Sequence, residues 1–257
     1  MLKQLFCSSL LFVSFLSFSE NLNIENQYNT LDNMFSGDYS TQLTVNEAMK
    51  QNNNFGIGLA KELGELIVID NKYYVADSKG NAKLMKGNDG ISYLTATNFD
   101  SDNALHFEIK KPMTLIKIQN LINKEYNLAD TLYAAKVIGK FEYINASNQN
   151  RVLNQIFLKK WPKNHQHDFT VTNTKATIVS FYTPLSKNEL KGISIQPRYT
   201  HFISSDMKMG DVLNARILSG DIYIQKIDKV KIINPKHENT NKNVGLKDAK
   251  QIESSSN

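Results

Sequence analysis

Gly192–Leu213 reads GISIQPRYTHFISSDMKMGDVL, two β-prone runs on either side of a polar turn. Ile193 and Ile195 begin a strand that Pro197 interrupts, because proline has no N–H to give to a ladder. Arg198–Ile203 is a short β run, Ser204–Lys208 a polar turn, and Asp211–Ile217 the returning strand. Side chains alternate faces along a strand, so Tyr199, His201 and Ile203 share one face, and Asp211 comes close to it across the hairpin. An imidazole and a carboxylate on one polar face form a minimal candidate site, although a lone strand histidine more often packs than reacts.

Outward from this hairpin the chain stays rich in strands. Ala176–Leu185 (ATIVSFYTPL) leads into it, and Thr131–Ile144 (TLYAAKVIGKFEYI) reads as two strands around Gly139. Asp221–Ile233 reads as a further strand pair. Asn164-His165-Gln166-His167-Asp168 has ligand-type side chains but reads as a polar loop entering the strand Phe169–Thr172. In the first half, Ile24, Tyr28, Leu31 and Phe35 recur at helical spacing, predicting a helix over 24–35. Thr44-Val45-Asn46-Glu47 has the capping-box pattern of a second helix, and Thr114–Tyr126 the apolar stripe of a third. Between them lie Phe55-Gly56-Ile57-Gly58 and a hairpin over Leu63–Val75 turning at Asp70-Asn71-Lys72. Ile91–Phe99 and Ala104–Ile109 are predicted strands, with His106 read as a packing residue.

The hairpin at 198–214 resembles the carboxy-terminal signature of the acetolactate decarboxylases, Gly-Tyr-His-Leu-His-Phe-Leu/Ile-Ser followed by Gly-Gly-His-Val-Leu-Asp. Here Arg198-Tyr199-Thr200-His201-Phe202-Ile203-Ser204 and Gly210-Asp211-Val212-Leu213-Asn214 line up with it. Gly56-Ile57-Gly58 and Gly64-Glu65 resemble that family's Gly-Ile-Gly-Thr and Gly-Glu steps. Thr131–Ile144 and Ala176–Leu185 resemble two more of its runs.

The resemblance implies an α/β, β-rich fold with mixed sheets and two domains. The expected division is a signal peptide at 1–19, a helix and β-sheet domain at 20–126, a β-rich domain at 127–234 carrying the site, and a polar tail at 235–257. It implies a Zn²⁺ centre held by three histidines, a place that Tyr199, His201 and Asp211 occupy here. Glu65 falls at the family's proton-transfer carboxylate, and Glu253 near the end of the chain lines up with a second acid. Ser147 stands at an active-site arginine, and Lys136 at another arginine. The family reaction converts 2-acetolactate, a 2-hydroxy-3-keto acid, to acetoin and CO₂ by metal Lewis-acid catalysis.

With His201, Asp211, Glu65 and Glu253 the donor set is rich in oxygen, which suits Mn²⁺ or Mg²⁺ better than Zn²⁺. Three readings stay open: a decarboxylase with altered metal, a non-catalytic relative that binds or scaffolds, and a metal-independent enzyme with another substrate. Members of the family are often dimers, so a homodimer is what the resemblance implies.

Composition narrows the partners. Among 257 residues, 41% are hydrophobic and 21% charged, and the net charge of +5 comes from interspersed acids and bases. No basic stripe with interleaved aromatics is present, which argues against nucleic acid. Lys3, the apolar run Leu5–Phe18 and the small-x-small step Ser17-Phe18-Ser19 form a secretory signal. The expected mature chain begins near Glu20, is periplasmic or secreted, and has no membrane anchor. The one cysteine, Cys7, leaves with the signal, so no disulfide is expected.

Overall fold

The computed structural model describes residues 22–61, 64–149 and 166–233. In chain order these form β1 (Ile24–Tyr28), α1 (Leu31–Phe35), β2 (Leu43–Thr44), α2 (Val45–Met49), β3 (Phe55–Ala60), β4 (Glu65–Ile69), β5 (Lys72–Ala76), β6 (Ala82–Leu84) and β7 (Gly90–Thr97). There follow β8 (Leu105–Ile109), β9 (Met113–Thr114), α3 (Leu115–Tyr126), β10 (Tyr133–Gln149), β11 (Gln166–Tyr182), β12 (Arg198–Ser204), β13 (Met209–Lys226) and β14 (Lys229–Ile233). The signal segment, Glu253 and His165 lie outside the described residues.

Two sheets carry the fold. The first runs β14-β1-β7-β3-β4-β5-β6, with β2 on β7. It is mixed, because β14 lies parallel to β1 while the other pairs are antiparallel. The second runs β10-β11-β12-β13-β8, with β9 also on β13, and β10 pairs with β13 to close four of its strands on themselves. β8 and β9, before residue 126, belong to the second sheet, and β14 at the end of the described chain belongs to the first.

Local chemistry accounts for the short-range pieces. The β4–β5 turn places both Asp70 and Asn71 at positive φ, 50° and 61°, as a two-residue hairpin matched to strand twist requires. Aspartate and asparagine tolerate that region best after glycine. The capping box of α2 is complete: the Glu47 N–H donates to Thr44 Oγ1 and the Thr44 N–H to Glu47 Oε2. α3 is capped by the Thr114 hydroxyl, ends at Asn127 with φ 53°, and buries Leu115, Ile118 and Ile122.

Four expectations are corrected. Residues 24–35 are not one helix: Ile24–Tyr28 is a strand and only Leu31–Phe35 is helical. The apolar spacing that fits a helix also fits a strand, a break and one turn. The break is Asn29 at φ 65°, followed by Thr30 as N-cap. The two strands around Gly139 are one 17-residue strand, β10, in which Gly139 faces Gly220. Phe169–Thr172 and Ala176–Tyr182 likewise merge in β11. Asp221 continues β13, whereas Lys229–Ile233 leaves for the other sheet instead of pairing with it.

Three apolar cores result. One lies inside the second sheet under α3 and contains Phe141, Ile144, Ile178, Phe202 and Ile217. Another covers the far face of the first sheet, with Tyr28, Leu66, Val68, Tyr73 and Leu94. The third is the seam between the sheets, where Ile57, Ile67 and Tyr93 meet Val179, Phe181 and Tyr199.

A polar group accompanies the seam. Thr95 Oγ1 donates to Gln27 Oε1 at 2.7 Å, and Gln225 Nε2 to the Asn98 carbonyl at 2.9 Å. Beside them Glu25 is 1% exposed, and its Oε1 has no hydrogen-bond partner. Burial pushes its carboxyl up to about 8, so it is largely neutral at physiological pH.

Candidate functional site

Strand alternation aims Tyr199 and His201 of β12 into the seam, while Phe202 faces the core under α3. Alternation in β4 likewise turns Glu65 and Ile67 toward the second sheet and Leu66 away from it. The two strands meet at His201. Its Nδ1 lies 2.8 Å from the Leu66 carbonyl oxygen, which fixes Nδ1 as the N–H donor. Its Nε2 lies 3.0 Å from Glu65 Oε2, in ion-pair contact but out of line for a hydrogen bond.

The surroundings decide the charge. His201 has no solvent exposure and Glu65 only 5%. Burial opposes a charged imidazole, but the adjacent Glu65 carboxylate, the field of Asp211 and the Leu66 carbonyl outweigh it, and the His201 pKa is raised. Asp211 faces His201 in the β12–β13 register and Ser147 in the β10–β13 register. Gly210 makes this fit possible, since a Cβ there would stand 2.8 Å from the Ser147 carbonyl oxygen. Burial pushes the Asp211 carboxyl up to about 6; His201 pulls against this, Glu65 adds to it and Arg198 opposes it.

Tyr199 sets its ring edge-on to His201, centroids 4.7 Å apart, and Tyr93 stands 6.1 Å beyond. Burial, then the fields of Glu65, Tyr93 and Asp211, raises the Tyr199 pKa well above the usual phenol value, so it stays a neutral donor.

Glu65, Tyr199, His201, Asp211 and Ser147 are thus neighbours, although they come from three distant parts of the chain. Lys136 is elsewhere: its Nζ reaches Asp70 Oδ1 at 3.4 Å and ties β10 to the β4–β5 turn. Glu253 is outside the described residues. The Leu66 carbonyl is not readable from sequence, because a backbone acceptor has no residue signature. His106 does have a partner, Asp221 Oδ1 at 2.8 Å, and stacks on Tyr223, 115 residues away from its partner in sequence. Register alone brings it there, with His106 opposite Tyr223.

The donors fit a three-histidine zinc centre poorly. The three positions present a phenol, an imidazole and a carboxylate, and among the described residues no three His, Cys, Asp or Glu side chains converge as a ligand set. The one imidazole is already in contact with Glu65. What the arrangement offers is an imidazole whose pKa is raised, a carboxyl pushed up to about 6 and a neutral phenol, all at one seam.

Comparison with known proteins gives the frame. The family model described as alpha-acetolactate decarboxylase matches residues 26–247. A relative from Methanosarcina mazei named alpha-acetolactate decarboxylase is 28% identical over 76% of this chain and 66% of its own, just under two thirds. One of the same name from Lactococcus lactis subsp. cremoris is 29% identical over 79% of this chain and 84% of its own. The crystal structure of alpha-acetolactate decarboxylase from Bacillus subtilis superposes with a TM-score of 0.80 at 24% identity, covering 91% of this chain and 99% of that one. A Staphylococcus aureus protein of unknown function, described as similar to the same enzyme, also gives 0.80, at 21% identity over 91% and 100% of the two chains. These two structures show the fold.

Proposed function

The chain belongs to the alpha-acetolactate decarboxylase family, and from that premise we propose that it is an exported carbon–carbon lyase acting on 2-acetolactate, with an imidazolium where its relatives are expected to hold a metal. The observation that carries this reading is His201. Its raised pKa favours the charged form, and its Nε2 lies 3.0 Å from Glu65 Oε2 on the side of the seam that Tyr199 and Asp211 also occupy.

Loss of CO₂ from a 3-keto acid breaks the C1–C2 bond and sends its electron pair toward the C3 oxygen. A hydrogen bond from a buried cation to that oxygen stabilises the developing charge. Tyr199, held neutral, supplies a second donor from the same face. The resulting enediolate needs one proton, at C2, to become acetoin. Asp211, titrating near 6, can be protonated at working pH and deliver it. The balance is one acetolactate anion and one proton giving acetoin and CO₂. Asp211 is half-buried where Glu65, Ser147, Tyr199 and His201 are buried, so substrate would enter from its side.

The sealed position of His201 and Glu65 favours a second reading, in which the pair only ties the two sheets of a non-catalytic binding protein. Acetoin release by the purified protein separates the two. The lyase reading expects turnover above the spontaneous rate, unchanged by a chelator and lost in His201→Ala. Turnover that appears only after loading with Zn²⁺, Mn²⁺ or Mg²⁺ would replace the imidazolium by a metal. No turnover under any condition would leave the binding protein. Export rests on Lys3, the apolar run Leu5–Phe18 and the Ser17-Phe18-Ser19 step. Amino-terminal sequencing of the exported protein should begin near Glu20.

A further inference from the structure

A cavity of about 600 Å³ opens where the β4–β5 turn meets the second sheet. That size lies within the range of roughly 300–1,000 Å³ common for small-molecule sites. Neither Glu65, Tyr199, His201 nor Asp211 lines it. One wall is the hairpin bearing Lys72 and Tyr74, and the opposite wall carries Ile138, Lys140 and Lys175. Met207, at the β12–β13 turn, closes a third side. Gly139 and Gly220, paired across β10 and β13, also line it; a Cβ at either would strike the partner strand's backbone, at 2.3 and 2.2 Å.

The charge arrangement is unusual. Lys140 and Lys175 are direct register partners on β10 and β11. Like charges facing each other across a strand pair are destabilising. The cavity's two acids pair with none of them: Asp70 contacts Lys136 at 3.4 Å, and Asp221 is hydrogen-bonded to His106 at 2.8 Å, leaving at most one carboxylate charge against three ammonium groups. Among the described residues, Lys72, Lys140 and Lys175 have no carboxylate within ion-pair distance. Three unneutralised ammonium groups therefore share one concavity with two partly exposed apolar side chains, Ile138 at 40% and Met207 at 41%. The Lys136–Asp70 contact links the hairpin wall to β10.

We propose that this cavity binds a small amphiphilic acid, a molecule with one anionic head group on an apolar body. The head lies between Lys140 and Lys175 with Lys72 above it, and the body lies against Ile138, Tyr74 and Met207. The site is separate from the His201 set, and the proposal holds whether or not the chain is a lyase.

Isothermal titration of the exported protein tests it, with octanoate as probe and octan-1-ol and inorganic phosphate as partial probes. Saturable one-to-one octanoate binding is expected, weakened about tenfold or more by Lys140→Gln with Lys175→Gln, and by raising salt. Lys117→Gln, an exposed lysine on α3, should leave binding unchanged. Octanol and phosphate alone should each bind about tenfold more weakly than octanoate or worse. Absence of saturable octanoate binding would overturn the proposal. So would full binding by the double variant, equal loss in Lys117→Gln, or phosphate binding as tightly as octanoate.

Discussion

His201 Nε2 and Glu65 Oε2 meet at 3.0 Å across the seam between the two sheets, both almost without solvent. The raised pKa of His201 makes this contact depend on pH. Its folded value lies above the unfolded one of about 6.5. Stability from the pair is therefore complete below that unfolded value and is lost as pH rises through the folded one. Urea unfolding from pH 5.5 to 9 should show the wild type losing more stability than His201→Gln. Parallel curves for the two proteins would show that the imidazole is neutral throughout.

Glu25 gives a pH effect of the same sign, but from burial alone and without a charged partner. Its folded pKa is raised to about 8 by burial alone, so the folded protein holds a proton that the unfolded chain has already released. Wild-type stability should fall as pH rises from about 4.5 to 8, then level off. Glu25→Gln keeps the shape without the charge. Its advantage over wild type should widen by about 2–5 kcal/mol between pH 5 and pH 8.5. A constant gap over that range would mean that Glu25 is ionised in the folded state.

Asn53 is wholly buried and joins β1, α2 and β5 through its polar atoms. Its Nδ2 donates to Tyr28 Oη at 3.0 Å and to the Ala48 carbonyl at 3.3 Å, its Oδ1 accepts from Asn26, and its carbonyl accepts from Tyr73 Oη. Asn53→Ala orphans several of these groups at once. The expected cost is about 2–4 kcal/mol by denaturant unfolding. A loss under about 0.5 kcal/mol, the size of an ordinary surface change, would show that water replaces the amide.

The β4–β5 turn offers a conformational test. Asn71 sits at φ 61°. Asn71→Gly should be neutral or slightly stabilising, whereas Asn71→Val should cost about 1–2 kcal/mol, because a β-branched residue is strained there. Equal melting temperatures for the two variants would contradict the turn geometry.

Legibility from sequence followed the range of the interaction. The hairpin at β12–β13, the Asp70-Asn71 turn and the Thr44 capping box are local, so spacing and residue type were enough to see them. β1 was misread because Ile24, Tyr28, Leu31 and Phe35 satisfy a helical period and a strand-plus-turn alike. Only pairing with β7 and β14 decides between them. The closeness of His201 and Asp211 was readable across one hairpin. The contact of His201 with Glu65 spans 136 positions and came only through the family resemblance. The partnership of His106 with Asp221 had no local sign, since each residue alone looks like an ordinary strand side chain.

β14 lies parallel beside β1, so the last described strand of the chain is a neighbour of the first. A chain delivered from one end, by a ribosome or through a membrane pore, therefore holds β1 with one flank open until about two hundred residues have followed it. The first sheet can be completed only once Lys229–Ile233 has been delivered, and such long-range closure is slow. The fold is in effect tied off like a drawstring, and removal of Lys229–Ile233 should loosen Ile24–Tyr28, about two hundred residues before it, as well as its own surroundings.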